Sequence, residues 1–252
     1  MDNTHGDIVI LTGAGISQES GLETFRDKGG LWSKVNIEDV ATPKAYQNNP
    51  RKVQQFYNNR RRRMLNGLIK PNCAHNALAK LENEWLSKKW GKVTVITQNI
   101  DNLHELAGSE NLIHMHGEIL KARCQKCGYI FTCNMDLGFG EVCAGCDRIN
   151  VLRPHVVWFG ETPLEMERIY GLLEKCKLFI SLGTSGTVYP AANFIQFVGS
   201  SPNVYTIELN MEPSNGATLF DETRYGLATD LVPLVVEELL TCGIPQKITS
   251  RI

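Results

Sequence analysis

The chain has 252 residues, 42% of them hydrophobic, and a formal charge of −1 at pH 7. That is enough apolar material for one large or two unequal domains, and the near-neutral balance argues against a protein whose main role is to coat nucleic acid. No apolar run reaches the length of roughly 18 residues that a membrane-spanning helix needs. Only seven residues precede the first apolar run, too few for a signal or transit peptide, so the expectation is a soluble, cytoplasmic protein.

In chain order, the first strand signal is DIVIL at 7–11, which empties into Gly13-Ala14-Gly15. Glycines there let a backbone approach phosphate oxygens closely. The third glycine of a G-x-G-x-x-G fingerprint would fall at position 18, but Gln18 stands there and the next glycine is Gly21. No acidic residue ends an obvious second strand about twenty residues on, where a ribose hydroxyl would be read. Residues 30–70 then carry a helical, charge-rich stretch, and 73–89 has the pattern of an amphipathic helix.

KVTVIT at 92–97 reads as a buried strand, and Gln98, Asn99 and Asp101 crowd its carboxyl end. HMHGE at 114–118 sets His116 at the end of another short apolar run. Four cysteines follow as two C-x-x-C pairs, Cys124 with Cys127 and Cys143 with Cys146, separated by fifteen residues. That spacing suits one tetrahedral Zn²⁺ held by thiolates, and four protein ligands leave no open position for substrate, so the metal is structural. His116-x-Glu118 ahead of a C-x-x-C also has a likeness to the zinc deaminase signature. Against it, Cys124 follows too closely, Arg123 replaces the proline, and the second pair would be left without a role.

Beyond the cysteines, 163–176 reads as a helix, and KLFISL at 177–182 and NVYTIEL at 203–209 as buried strands. GTSGTVYPA at 183–191 again follows a strand with small hydroxyl and glycine residues. The last helix spans 230–243, with Asp230 as its N-cap and Gly243 as its stop. This alternation predicts an α/β fold: a Rossmann-like, doubly wound parallel sheet with a smaller zinc-binding and helical module. The expected division is 1–29, 70–117 and 155–252 for the large domain, with a helical insertion at 30–69 and a zinc ribbon at 118–154. Several polar loops at the carboxyl ends of strands read together as a nucleotide site.

The set GAGIS…SG…TFR, QNID, HMHG, paired C-x-x-C, RPHVVWFGE, GTS and ELNMEP resembles the sirtuins, NAD-dependent protein lysine deacylases. The likeness runs in family order over about residues 8–240, and within the family it is similar to the bacterial group near the mitochondrial desuccinylase class. The resemblance implies that NAD is consumed as a co-substrate, that one Zn²⁺ is structural, and that the partners are acylated-lysine proteins or peptides, with no membrane and no direct nucleic-acid binding. It implies that Gly13, Ala14, Gly15, Ile16, Ser20 and Gly21 serve the pyrophosphate turn, with Phe25, Arg26 and Trp32 in a cofactor loop. Gln98 and Asn99 fall to the nicotinamide ribose and a bound water, and Ile100 and Asp101 to the nicotinamide pocket. Gly183, Thr184, Ser185, Asn210, Met211, Glu212 and Ala228 match the adenosine side.

His116 matches the family's catalytic base, with Asn99 beside it. In that chemistry the acyl-lysine oxygen attacks the ribose and expels nicotinamide, and a ribose hydroxyl then loses its proton, a task suited to an imidazole of ordinary pKa about 6.5. The products are the free lysine and O-acyl-ADP-ribose. VVWFG at 156–160, including Val157, Phe159 and Gly160, matches the strand that pairs with the substrate backbone. Tyr57 and Arg60, at i and i+3 of a helix over 51–66, match the pair that receives the carboxylate of succinyl- or malonyl-lysine, while Arg61 to Arg63 read as a solvated basic face. Glu23 departs from the proline the family often has there. A Rossmann-type NAD oxidoreductase with a structural zinc is the alternative reading, and a zinc ribbon that binds nucleic acid is a third.

Overall fold

The computed structural model describes residues 4–24 and 35–247. Six parallel strands form the main sheet in the order β3-β2-β1-β7-β8-β9. They are β1 (Ile8–Thr12), β2 (Val93–Thr97), β3 (Leu112–His114), β7 (Leu178–Leu182), β8 (Tyr205–Asn210) and β9 (Glu222–Tyr225). Between them in the chain come β4 (Gly117–Cys124), β5 (Ile130–Thr132) and β6 (Leu152–Val156), a separate antiparallel sheet in the order β5-β4-β6.

Alternation along β1 explains why the sheet is covered on both faces. Ile8 and Ile10 enter one core with Leu78, Leu81 and Trp85 of the Cys73–Ser87 helix and Val232, Val236 and Leu239 of the Ala228–Cys242 helix. Val9 and Leu11 point the other way, into a core with Ile169 and Leu173 of the Met166–Leu173 helix and Phe194 and Val198 beside them. Each such side chain contributes about 1.5–3 kcal/mol on burial. Trp85 adds a hydrogen bond from Nε1 to the Gly6 carbonyl at 2.9 Å.

The four strands read from the sequence stand within a residue or two of their expected places. β9 was not legible, because its Glu-Thr-Arg-Tyr side chains are exposed or half-buried at the sheet edge and leave no apolar run to detect. The last helix begins at Ala228, so Asp230 is not its cap; the N-cap is Leu227, without a side-chain bond, and Asp230 lies in the first turn, where a carboxylate complements the helix dipole. Gly243 ends that helix at φ +77°. No described helix is long and apolar enough to cross a membrane.

Among the described residues, the stretch 35–72 forms three helices, Ile37–Val40, Pro43–Asn48 and Pro50–Leu65. Each starts on a capping side chain: Asn36 accepts from the Glu38 N–H, Thr42 from Ala45 and Asn49 from Lys52. Proline at the first helical position starts the second and third. The Pro50–Leu65 helix carries a buried polar stripe at i, i+4 and i+7. Gln54 Nε2 donates to the Leu152 carbonyl at 2.9 Å. Asn58 exchanges two bonds with the backbone of Leu137 at 2.7 and 2.9 Å, and Arg61 Nε donates to the Ile119 carbonyl at 3.0 Å.

Arg61 therefore corrects the expectation of a solvated basic face. It is 0% exposed and also donates through Nη1 to Asn58 and Met135, while Arg62 and Arg63 stay at the surface. The helical period turns Arg61 onto the Gln54–Asn58 stripe, and the carbonyls of Ile119 in β4 and Met135 beyond β5 replace part of its water. Arg61→Met is expected to destabilise the fold by about 2–3 kcal/mol, since it strands buried acceptors. Arg62→Met should lie within about 0.5 kcal/mol of wild type. Paired denaturant melts check the difference.

The cysteine pairs close the far end of the small sheet. Cys124 and Cys146 sulfurs are 3.8 Å apart, Cys127 and Cys143 are 3.7 Å apart, and all four lie within 4.8 Å of one another. A tetrahedral zinc with Zn–S bonds of about 2.3 Å sets its sulfurs about 3.8 Å apart, so the thiolates fit one Zn²⁺. Backbone N–H groups of Lys126 and Gly145 point at Cys124 and Cys143 sulfurs at 3.3 Å each, which suits anionic thiolates. Elemental analysis is expected to find one zinc per chain. Cys143→Ser should lose it together with a large part of the stability, because structural zinc supplies on the order of 10 kcal/mol to small sites; a zinc-free wild type that melts at the same temperature would refute the assignment.

Candidate active site

The sheet order reverses direction between β1 and β7, the switch point at which doubly wound sheets open a crevice. A cleft of about 890 Å³ lies there. The loops after β1 and β7 touch backbone to backbone at its floor. Gly13 N–H donates to the Leu182 carbonyl at 2.9 Å and Gly15 N–H to the Gly183 carbonyl at 3.0 Å. A Cβ on Gly15 would stand 2.6 Å from Gly183 Cα, and one on Gly13 would stand 2.6 Å from the Gly183 oxygen. These glycines are present because any side chain would part the two loops.

Gly13, Ala14 and Gly15 line the cleft, and so does Gln18 at the end of the short Gly15–Gln18 helix. Ile16, Ser20 and Gly21 do not line it. Ile16 is fully buried in the core, Ser20 accepts from Asn72 Nδ2 at 3.0 Å, and Gly21 turns the chain at φ +91° with its N–H on the Gln18 carbonyl. They shape the turn from behind. Phe25, Arg26 and Trp32 lie outside the described residues.

After β2, Gln98 N–H donates to the Thr12 carbonyl at 2.9 Å, which ties this loop to the end of β1. Asn99 Nδ2 donates to the Gly13 carbonyl at 2.9 Å and to Ser17 Oγ at 3.1 Å. Ser17 passes its own hydrogen to Asp101 Oδ2 at 3.1 Å. Gln98, Asn99 and Ile100 line the cleft; Asp101 is buried beneath them, and burial raises its pKa against the Leu103 and Ser17 donors that oppose it. Ser17 is a residue the sequence reading passed over, although it stands within the G-A-G-I-S run.

His116 lines the cleft, and its Nδ1 lies 3.0 Å from the Gln98 carbonyl. A carbonyl only accepts, so Nδ1 carries the hydrogen and Nε2 is left basic. Burial lowers the His116 pKa, with the Gln98 carbonyl opposing, and the ring is held neutral. His114, two residues earlier, meets an acceptor on each nitrogen: the Asn99 carbonyl at 3.2 Å and Glu105 Oε1 at 2.8 Å. Burial would lower its pKa, but the Glu105 carboxylate and the other acceptors outweigh it and leave it raised. His116 is not part of the four-sulfur cluster, which removes the deaminase-like arrangement in which that histidine is a metal ligand.

Tyr57 and Arg60 from the Pro50–Leu65 helix also line the cleft, with Val157, Phe159 and Gly160. Arg60 is the one lysine or arginine among the described residues that line the cleft, and its guanidinium rests 4.8 Å from the centre of the Phe56 ring. Within the small sheet β6 ends at Val156, and residues 157–160, expected to pair with a substrate backbone, follow it along the cleft. The Glu161 carboxylate takes the Trp158 N–H at 2.8 Å and Gly160 adopts φ +88°, which together make a turn. Val157 N–H instead donates to the His116 carbonyl and Phe159 N–H to the Ala41 carbonyl, each at 2.9 Å.

Gly183, Thr184, Ser185, Asn210, Met211, Glu212 and Ala228 all border the far end of the cleft. Asn210 Nδ2 donates to the Thr184 carbonyl at 2.7 Å and locks the loops after β7 and β8 together. The glycine floor, the polar end of β2 and this locked rim fit an elongated dinucleotide laid across the switch point.

A Sir2 family model matches residues 13–190. The NAD-dependent protein deacylase of Vibrio cholerae is 54% identical over 240 residues, covering 95% of this chain and 96% of its own. Among solved structures, a Sir2 homologue in complex with NAD superposes with a TM-score of 0.81 at 36% identity, covering 93% of this chain and 90% of the other. A Sir2 homologue variant in complex with 2′-O-acetyl ADP-ribose gives a TM-score of 0.81 at 35% identity, with 93% and 92% covered. A match over most of the chain in sequence and in fold alike leaves one assignment: this chain belongs to the Sir2 family.

Proposed function

We propose that this chain is an NAD-dependent protein lysine deacylase that uses His116 as its general base and accepts acyl groups ending in a carboxylate. The single observation that carries the base assignment is the committed Nδ1 of His116, which leaves a neutral Nε2 on a residue of the cleft wall. NAD, when bound, supplies the electrophilic ribose carbon, a nicotinamide leaving group and the hydroxyls that receive the acyl group. Gly13 to Gly15 and the Gly183 loop would hold its phosphates by backbone approach, and Thr184, Ser185 and Asn210 would hold the adenosine end. Asn99, fixed by Gly13 and Ser17, orients the reacting end. His116 then removes a proton from a ribose hydroxyl. Family membership favours this reading over an oxidoreductase, in which the cofactor would be recovered.

Carboxylate preference rests on Arg60, the lone cation among the described lining residues, with Tyr57 one helical turn away. A guanidinium is a natural fork for a carboxylate. The acylated lysine enters as part of a protein or peptide, along Val157 to Gly160.

Incubation with NAD and acetyl- or succinyl-lysine peptides is expected to release nicotinamide only when an acyl peptide is present. His116→Ala should abolish that release while leaving zinc content intact. In wild type, the acidic limb of kcat/KM reports His116. Its neutral form is the active one and its pKa is lowered, so activity should fall only as pH drops through a value below the ordinary histidine value of about 6.5. A limb at or above that value would count against the assignment. Arg60→Met should weaken desuccinylation relative to deacetylation by about ten- to a hundredfold, and an equal loss on both peptides would remove the carboxylate reading.

A further inference from the structure

Tyr57 is 3% exposed yet borders the cleft beside Arg60. Its hydroxyl has one hydrogen to give and lone pairs to receive with, so its value to an anion depends on which of these it presents. An indole N–H can only donate, and Trp158 Nε1 donates to Tyr57 Oη at 3.0 Å. That bond occupies the accepting side of the phenol and turns its hydrogen away from the indole.

We infer that Trp158 is a positioning residue for acyl selectivity: it makes Tyr57 a donor toward a carboxylate bound at Arg60. This rests on the carboxylate reading above and deepens it. Without the indole N–H, the phenol could turn its hydrogen elsewhere and present lone pairs to the anion. Burial pushes the Tyr57 pKa up, with Trp158 as the main opposing group, so the hydrogen stays in place across the working pH range.

The indole is itself held. The Arg153 guanidinium carbon lies 3.2 Å from the centre of the Trp158 ring. Arg153 is fixed by two bonds to Glu161, Nη1 to Oε1 at 2.7 Å and Nη2 to Oε2 at 3.0 Å, and by Nη2 on the Val156 carbonyl at 2.7 Å. Glu161 Oε2 also takes the Trp158 backbone N–H at 2.8 Å, and Arg123 adds a bond to Oε1 at 3.0 Å. The Glu161 carboxylate thus ties Arg153 and Arg123 to itself and fixes both the backbone and, through Arg153, the ring of Trp158.

The test is a double-mutant cycle on the zinc-loaded full chain, with succinyl- and acetyl-lysine peptides at saturating NAD. Trp158→Phe keeps an aromatic ring against Arg153 but removes the N–H. Its loss in kcat/KM should be about three- to tenfold larger for the succinyl than for the acetyl peptide. The excess should lie mainly in KM, because the carboxylate is held in ground and transition states alike. In a Tyr57→Phe background, Trp158→Phe should add no further change in selectivity. If Trp158→Phe folds poorly, replacing Trp158 by β-(3-benzothienyl)alanine, with sulfur where the N–H stands, tests the same bond at nearly constant shape. Equal losses on both peptides, or a selectivity change that persists without the Tyr57 hydroxyl, would overturn the inference. An Arg60-dependent preference for succinyl that Trp158→Phe leaves untouched overturns this inference alone; a wild type without desuccinylation overturns the carboxylate reading and this inference with it.

Discussion

The contact between the loops after β1 and β7 governs the site. Gly15 and Gly183 approach so closely that one added methyl group on Gly15 would stand 2.6 Å from a backbone carbon, and the hydrogen bonds between the loops form only at that separation. From this contact the rest follows in order. The Gly13 carbonyl anchors Asn99, and the Thr12 carbonyl just before it anchors the Gln98 amide. The Gln98 carbonyl then sets the tautomer of His116. His116 is therefore oriented by a chain of backbone groups that begins at a glycine contact. It also explains Gln18: the close packing that a third fingerprint glycine provides elsewhere is supplied here by Gly183, from another loop, so position 18 is free to carry a side chain.

A second dependence joins the small module to the cleft. The Pro50–Leu65 helix presents Val53, Tyr57 and Arg60 on one stripe and Gln54, Asn58 and Arg61 on the next. The second stripe is bonded to backbone of the small sheet and of the segment that follows β5. The first carries Tyr57 and Arg60, which line the cleft. Rotation of the helix by one residue would exchange the two, so the bonds to the small module fix which stripe faces the cleft.

Much of this was legible in the sequence. Buried parallel strands announce themselves as short β-branched runs, and β1, β2, β7 and β8 stand where those runs predict. The cysteine quartet was legible because thiolate spacing carries its own geometry. Arg61 was not, because one-dimensional charge clustering does not reveal which arginine of four the helical period turns inward. The end of β6 was hidden for a related reason: Val156 to Phe159 look like a continuing strand, and only the Glu161 carboxylate closing on the Trp158 N–H breaks it. Ser17 and Trp158 sat inside recognisable motifs, but their roles depend on hydrogen bonds to residues 84 and 101 positions away.

Burial acts on His116 and Tyr57 in opposite chemical senses. Desolvation disfavours charge, so it holds His116 unprotonated and Tyr57 protonated. At neutral pH the result is a ring nitrogen that can accept a proton and a phenol that can donate a hydrogen bond. Neither state needs a dedicated charge partner. A single carbonyl, that of Gln98, selects the accepting nitrogen, and a single indole N–H, that of Trp158, selects the donating direction. Arg60 is the one lysine or arginine among the described residues that line the cleft, and Arg153 nearby shares the Glu161 carboxylate with Arg123. On the proposed reading, a carboxylate at Arg60 would meet that cation and a hydroxyl aimed by Trp158, whereas a neutral acyl group would use neither.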